Sequence, residues 1–189
     1  MEPSYNFNLK NIKPVSKSCI ALGLTDFVSV CNYVKELPYG RNTDRANYTS
    51  ILQENKGTCS TKHAFLKEIA MENEADHMLF YLCIYKMKEA NTIGIGEILA
   101  NYNLAYIPEA HTYLKFQNKI LDFTRIEESQ TSFKNAILFE EEILPKQIGD
   151  YKLAFHKNYI KTWIKDNNIP YSFSEIWNIR ETCISQLSK

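Results

Sequence analysis

Long hydrophobic runs and an excess of either charge are missing from this sequence of 189 residues. No stretch approaches the roughly 18 apolar residues of a membrane-spanning helix, and the first residues, MEPSYNFNLKNIKPVSK, lack the apolar run of a signal peptide. Lys plus Arg and Asp plus Glu number 22 each, so no net basic field attracts nucleic acid or an anionic membrane. We therefore expect a cytoplasmic protein without a nucleic-acid or membrane partner.

Paired cysteines are also missing. The cysteines are odd in number and contain no C-x-x-C pair, which predicts free thiols in a reducing compartment and argues against a disulfide framework or a ribbon-type zinc site. They are Cys19, Cys31, Cys59, Cys83 and Cys183. Zinc held by Cys59, His63, His111 and Asp122 is an alternative, but these ligands lack the close pairs of structural sites. We expect no metal and no cofactor.

The composition, 44% hydrophobic and 13% aromatic, suits a folded chain. No linker or repeat interrupts it, so we expect one domain over residues 1–189, with a motif core at about 57–124 and flanking helical segments at 25–55 and 150–188. A first helix is predicted in TDFVSVCNYVKEL with Thr25 as its N-cap. A second is capped by Thr43 and ends before Gly57. A third begins near Thr58 or Cys59, reaches about Asn73, and is apolar on so broad an arc that it should be central.

The middle of the chain predicts strands. HMLFYLCIYKM favours a buried strand, with a helix as its competitor, and GIGEILANYNL favours a short helix. EAHTYLKFQNKILDFT is typical of a β-hairpin that turns at Gln117 and Asn118. Helices return in YKLAFHKNYIKTWIKDNN and after the capping-box pair Ser172 and Glu175, while the acidic runs FEEEIL and IEESQ are interpreted as solvated faces. The order predicts an α+β fold.

Cys59 has the setting of a reactive thiol. Thiolate is the nucleophilic form of cysteine, and both a helix N-terminus and a neighbouring imidazole favour it. The first-turn amides of the third helix would place about half a positive charge near the sulfur and could also stabilise an oxyanion.

The predicted hairpin supplies a histidine with a carboxylate. A turn at Gln117 and Asn118 pairs residues whose numbers sum to 235, so His111 and Asp122 become diagonal neighbours on one face, roughly 7–8 Å apart at the backbone. His63 is a second candidate base. It has no obvious carboxylate partner, so we interpret it as a hydrogen-bonded helix histidine.

These motifs resemble the core of the transglutaminase-like superfamily, in which a G-x-C turn opens a helix and a later strand pair supplies His and then D-x-T. The matching residues are Gly57-Thr58-Cys59, His111-Thr112-Tyr113 and Asp122-Phe123-Thr124. The resemblance implies a papain-like α+β fold, with a central Cys-bearing helix packed on a small antiparallel sheet and extra helices at both ends. It also implies thiol acyl chemistry on amides by a Cys59, His111, Asp122 triad.

Ser60 stands where many members of that superfamily have Trp, and Phe123 where Pro is frequent. Both differences weaken a cross-linking activity more than they weaken the triad. The expected partner is a peptide or protein amide, or a small amide, and Gln53 and Asn42 are candidate second oxyanion donors. A catalytically silent binding or scaffold protein of the same fold is the alternative.

Overall fold

A computed structural model describes residues 3–125 and 133–186, and it confirms the α+β class. The chain divides into two compact units. The described part of the first unit is residues 3–82, 112–125 and 142–149, and that of the second is residues 83–111, 133–141 and 150–186. Each unit is assembled from several segments, and the single domain stays a prediction.

Helices of the first unit are α1 (Pro14–Ala21), α2 (Phe27–Glu36), α3 (Ile51–Glu54) and α4 (Cys59–Glu72), with short 3-10 helices at Tyr48–Ser50 and Pro145–Ile148. Helices of the second unit are α5 (Gly96–Asn101), α6 (Asp150–Asp166) and α7 (Phe173–Gln186), with a 3-10 helix at Phe133–Ala136. Four strands form one sheet in the order β3-β2-β1-β4. Their bounds are β1 (Leu79–Met87), β2 (Ile107–Phe116), β3 (Lys119–Leu121) and β4 (Ile137–Glu142).

The third predicted helix is confirmed as α4, which is the centre of the first unit. Thr58 is its N-cap and Asn73 its C-cap, as the sequence indicates. α4 packs against α1, α2 and both 3-10 helices of this unit, and nearly every residue from Cys59 to Ala70 is buried. Even Lys62 and Lys67 are buried, so α4 has no fully solvated face along this stretch.

The predicted hairpin is confirmed with its register. Leu114 pairs with Leu121 and Phe116 with Lys119, antiparallel, so paired residue numbers sum to 235. Gln117 and Asn118 have φ angles of 46° and 64°, the left-handed pair that a two-residue type I′ turn requires.

Two predicted helix starts are wrong. Asp26, not Thr25, caps α2, because its carboxylate accepts the Ser29 amide while the Ser29 hydroxyl faces the Asp26 amide. No helix begins at Thr43. Asp44 accepts the Ala46 amide in a local turn, and only residues from Tyr48 onward are helical. Short polar side chains that bond to nearby backbone compete with helix formation, and here the turn wins.

The first four residues of the run FEEEIL, Phe139 to Glu142, lie in strand β4 at the edge of the sheet. Glu140 and Glu142 are nevertheless exposed, as a solvated face requires. Helix α1 was not predicted. The other acidic run, IEESQ at 126–130, lies outside the described residues.

The second unit has a core of its own. Aliphatic and aromatic side chains from β1, β2, α5, α6 and α7 pack together around Tyr85, Ile107, Trp163 and Ile179. Two predicted features are confirmed here: α6 over most of its expected range, and the α7 capping box, in which the Ser172 amide donates to Glu175 Oε2 at 2.7 Å. Within the two described ranges, no helix is both long enough and apolar enough to cross a bilayer.

A carboxylate on α4 caps helix α1 from outside. Lys13, the N-cap residue of α1, makes no side-chain cap. Instead, Glu72 Oε1 accepts the Val15 amide at 3.0 Å, and Glu72 Oε2 accepts the Ser16 amide at 2.6 Å and the Ser16 hydroxyl at 2.7 Å. The negative charge also complements the positive end of the α1 dipole.

Replacing Glu72 with Ala should lower the free energy of unfolding by about 2 kcal/mol, because both amides and a buried hydroxyl lose their acceptor. Urea unfolding followed by circular dichroism measures this. Glu74→Ala is the matched control, because the ion pair of Glu74 with Lys10 is exposed and its loss should change stability far less. Equal losses in the two variants would contradict the capping role.

Candidate active site

Cys59 is the first residue of α4, and its helix start is fixed by a capping box. The Thr58 amide donates to Thr61 Oγ1 at 3.0 Å, and the Thr61 amide donates to Thr58 Oγ1 at 3.5 Å. The sulfur therefore lies on the first turn, where the aligned peptide dipoles favour negative charge. Cys59 exposes 6% of its surface, and its Sγ lies 3.9 Å from Ser60 Oγ.

Gly57 allows the chain to approach this turn closely. A Cβ at position 57 would lie 3.0 Å from both Lys62 Cγ and Thr61 Oγ1, and 3.2 Å from Ile51 Cγ2. The Gly57 amide and carbonyl also bond to the backbone of residues 38 and 40. The glycine of the G-x-C motif is thus explained by packing, since any side chain there would displace the helix start.

His63 ties α4 to the segment after the hairpin. Its Nδ1 lies 2.9 Å from the Cys59 carbonyl oxygen, and its Nε2 accepts the Phe123 amide at 2.8 Å. Because a carbonyl only accepts and an amide only donates, the ring is the neutral tautomer protonated on Nδ1. Both nitrogens are engaged with backbone, which agrees with a hydrogen-bonded helix histidine.

The expectation that His63 has no carboxylate neighbour is wrong. Asp122 Oδ1 lies 3.5 Å from His63 Nε2. The same oxygen accepts the Thr124 amide at 2.9 Å and the Thr124 hydroxyl at 2.5 Å, which makes a tight turn of the D-x-T motif. Periodicity could not reveal this contact, because Asp122 is far from His63 in the sequence: 60 residues separate His63 from Phe123, the residue after Asp122.

Lys62 is a residue that the sequence analysis missed. Its side chain is fully buried, and its Nζ donates to the carbonyl oxygens of Leu37 at 2.5 Å and Thr124 at 2.8 Å. Burial lowers the pKa of Lys62 to about 8, with Arg125 acting in the same direction and the charges of Asp122 and Cys59 acting against it. A cation therefore lies within electrostatic reach of both the thiol and the carboxylate.

His111, the predicted base, is on β2 among the residues of the second unit and is half-buried. Its ring centroid lies 4.5 Å from that of Phe133 and 6.1 Å from that of Tyr85. Its pairing with Cys59 and Asp122 stays a prediction.

The two oxyanion candidates differ in their surroundings. Asn42 is buried, and its Nδ2 donates to the Lys56 carbonyl at 3.0 Å while its Oδ1 accepts the Thr61 hydroxyl at 2.8 Å. These bonds hold the loop against the start of α4. Gln53 is exposed on α3. Neither residue has a contact that points to a role as oxyanion donor, and both assignments stay predictions.

Three other thiols have surroundings that suppress ionisation. Burial, aided by the charge of Glu72, raises the pKa of Cys19 to about 12, and burial with Asp26 raises that of Cys31 well above its ordinary value. Burial and the charge of Glu109 raise the pKa of Cys183 to about 11. Within the described ranges, no three His, Cys, Asp or Glu side chains are placed to hold a metal ion.

A second charged cluster lies in the second unit. Glu109 is buried on β2 and accepts from Arg180 Nε at 2.7 Å and from Arg180 Nη2 at 2.5 Å. His156 Nε2 lies 2.9 Å from the Pro108 carbonyl oxygen and 3.8 Å from Glu109 Oε2. Burial alone would raise the pKa of Glu109, but Arg180, with His156 and Lys152, outweighs it and lowers the pKa to about 2.

We expect the second charged cluster to make the free energy of unfolding depend on pH in the acidic range. The unfolded Glu109 carboxyl takes its proton near pH 4.5 and the folded one only near 2, so its stabilising contribution is present above 4.5 and is lost as the pH falls towards 2. Burial lowers the pKa of His156, which adds a loss that begins near 6.5. Urea unfolding between pH 7 and pH 3 measures the total.

Glu109→Gln isolates the carboxylate. The variant should be less stable than the natural protein at pH 7 by about 3–5 kcal/mol, because Arg180 loses its buried counter-charge, and the difference should shrink as the pH falls from 4.5 towards 2. Parallel curves would contradict the assignment.

The link made by His63 gives another expectation. His63→Phe keeps a ring but leaves the buried Phe123 amide without its acceptor, so the free energy of unfolding should fall by about 1–3 kcal/mol. His77→Phe is the control, because His77 is exposed and its ring packs edge-on against the Phe116 ring. Denaturant unfolding of both variants measures this loss. A His63→Phe variant as stable as the natural protein would refute the link.

Comparison with protein family models, curated proteins and solved structures finds no match for this chain. The resemblance to the transglutaminase-like superfamily therefore rests on the motif residues at 57–59, 111–113 and 122–124. Function has to be argued from the side chains themselves.

Proposed function

We propose that this protein is a thiol-dependent enzyme that hydrolyses or transfers the acyl group of an amide, with a papain-like or transglutaminase-type core. Cys59 is the nucleophile, His111 is first its base and then the general acid, and Asp122 orients His111. One observation carries the proposal: Cys59 occupies the first turn of a capped helix. The same helix contains a buried cation, Lys62, and is hydrogen-bonded to the turn that follows Asp122.

Each residue type suits its step. The Cys59 thiol gives its proton to the imidazole of His111, and the thiolate attacks the amide carbon while the carbonyl electrons move onto oxygen. First-turn amides of α4 stabilise that oxyanion. The imidazolium then protonates the leaving nitrogen, the carbon–nitrogen bond breaks, and an acyl-thioester remains for water or an amine to attack. Asp122 fixes the tautomer of the neutral His111 imidazole and stabilises the imidazolium that forms.

The assignment of His111 to Asp122 is based on the hairpin register. Three residue pairs on β2 and β3 keep the sum of 235 up to Leu121, one residue before Asp122. Residues 111 and 113 point to one face of β2, because side chains alternate along a strand. His63 fits the role of base less well, because both its ring nitrogens are bonded to backbone.

The substrate class follows from the chemistry only as an amide of a peptide, a protein or a small molecule. Hydrolysis is preferred over transfer, because water is always present to attack the acyl-enzyme. Release of ammonia or amine without a cross-linked product would support hydrolysis.

A catalytically silent binding or scaffold protein of the same fold is the second candidate. The observation that favours it is the low exposure of Cys59, 6% of its surface, which restricts access to the sulfur. The labelling experiment below separates the two candidates, because a silent scaffold has no activated thiol at position 59.

Labelling with a short peptide that carries a vinyl sulfone tests the nucleophile. Cys59→Ala should abolish labelling of the folded protein. His111→Ala should slow it by about 10²–10⁴, the usual contribution of a general base. Mass spectrometry of tryptic peptides identifies the modified residue.

Cys183→Ala is the matched control, since burial raises the pKa of Cys183 to about 11 and its removal should leave labelling unchanged. Labelling of Cys59→Ala at the natural rate would end the proposal. An unlabelled Cys59 in the folded natural protein would favour the silent scaffold.

A further inference from the structure

Two lysines of α4 are buried, and they differ in what surrounds them. Lys67 Nζ donates to the Met78 carbonyl at 2.6 Å, and its charged neighbours are Glu142 and Asp76. Lys62 lies one turn after Cys59, on the side of α4 that faces the end of α2 and the D-x-T turn. An ammonium group without water is costly, so each position must supply compensating acceptors.

The acceptors of Lys62 come from two separate segments. Lys35 and Leu37 lie in the last turn and at the C-cap of α2, where the helix dipole is negative, and their carbonyl oxygens are 3.5 Å and 2.5 Å from Lys62 Nζ. The Thr124 carbonyl, at 2.8 Å, belongs to the turn that Asp122 closes. One ammonium group therefore joins α2, α4 and the D-x-T turn.

The charged groups that act on Lys62 are few. Arg125 disfavours its charge, while Asp122 and Cys59 favour it. An interaction of this kind is mutual, since a thiolate that stabilises the ammonium is stabilised by the ammonium to the same extent. Lys62 lies three residues after Cys59, the helical spacing at which side chains are neighbours.

We propose that Lys62 is a positioning residue for Cys59: its buried ammonium favours the thiolate and holds the D-x-T turn against the start of α4. This inference rests on the proposed function, because it deepens the role of the same thiol. It assigns to one cation both an electrostatic and a structural task.

The test is the pH dependence of Cys59 alkylation by iodoacetamide, quantified by mass spectrometry of the peptide that contains residue 59. In Lys62→Met the profile should shift to higher pH, with alkylation at pH 7 slowed on the order of tenfold, since the thiolate loses a positive charge three residues away on the same helix. Lys67→Met is the matched control. It also removes a buried ammonium from α4, and its profile should coincide with that of the natural protein.

The reverse measurement keeps the test decisive if Lys62→Met fails to fold. Cys59→Ser removes the ionisable sulfur with little change in volume, and the titration of Lys62, followed by the ¹³Cε chemical shift, should then move to lower pH. An unchanged Lys62 titration in this variant, or an unchanged alkylation profile in a folded Lys62→Met, overturns the inference.

Neither measurement needs an amide substrate. Shifted profiles in a protein that is not labelled by the peptide vinyl sulfone would support the inference and refute the proposed function. Unshifted profiles in a protein that is labelled would do the opposite.

Discussion

The buried ammonium of Lys62 is the constraint on which the surroundings of Cys59 depend. Three carbonyl groups solvate it in place of water, and they come from the end of α2 and from the turn after the hairpin. Because unsolvated charge is costly, these segments must stay in place for α4 to keep Lys62 inside. Gly57 belongs to the same constraint, since a Cβ there would lie 3.0 Å from the Lys62 stem. Polar contacts therefore hold the first turn of α4, and terminal turns of helices are the ones that usually fray.

His63 and Lys62 together show how the first turns of α4 hold the D-x-T segment. His63 accepts the Phe123 amide, and Lys62 donates to the Thr124 carbonyl, so backbone groups of two consecutive residues are held from one helix. Asp122 then bonds to Thr124 and closes the turn. In this arrangement Asp122 Oδ1 is positioned by the amide and hydroxyl of Thr124, whereas the contact of His63 with the Phe123 amide requires a neutral ring.

How much of this the sequence could predict depends on the range of each interaction. The limits of α4, the hairpin register and the α7 capping box follow from residues within a few positions of one another, and all are confirmed. Helix α1 has no side-chain cap of its own and relies on Glu72, 56 residues from Ser16, so local signals could not reveal it. The contact between His63 and Asp122 could not be predicted for the same reason, since the two residues are far apart in the sequence. Lys62 could not be predicted because a lysine in a helix ordinarily indicates a solvated position.

The cysteines differ in how their positions favour or disfavour ionisation of the thiol. Cys19, Cys31 and Cys183 are as buried as Cys59, but burial and nearby carboxylates raise the pKa of each of them. Cys59 has the opposite setting, a helix start and a cation. Its small exposure, 6% of its surface, restricts access to the sulfur. The same burial that shields the sulfur from water strengthens its interaction with Lys62, because charges attract more strongly where the dielectric constant is low.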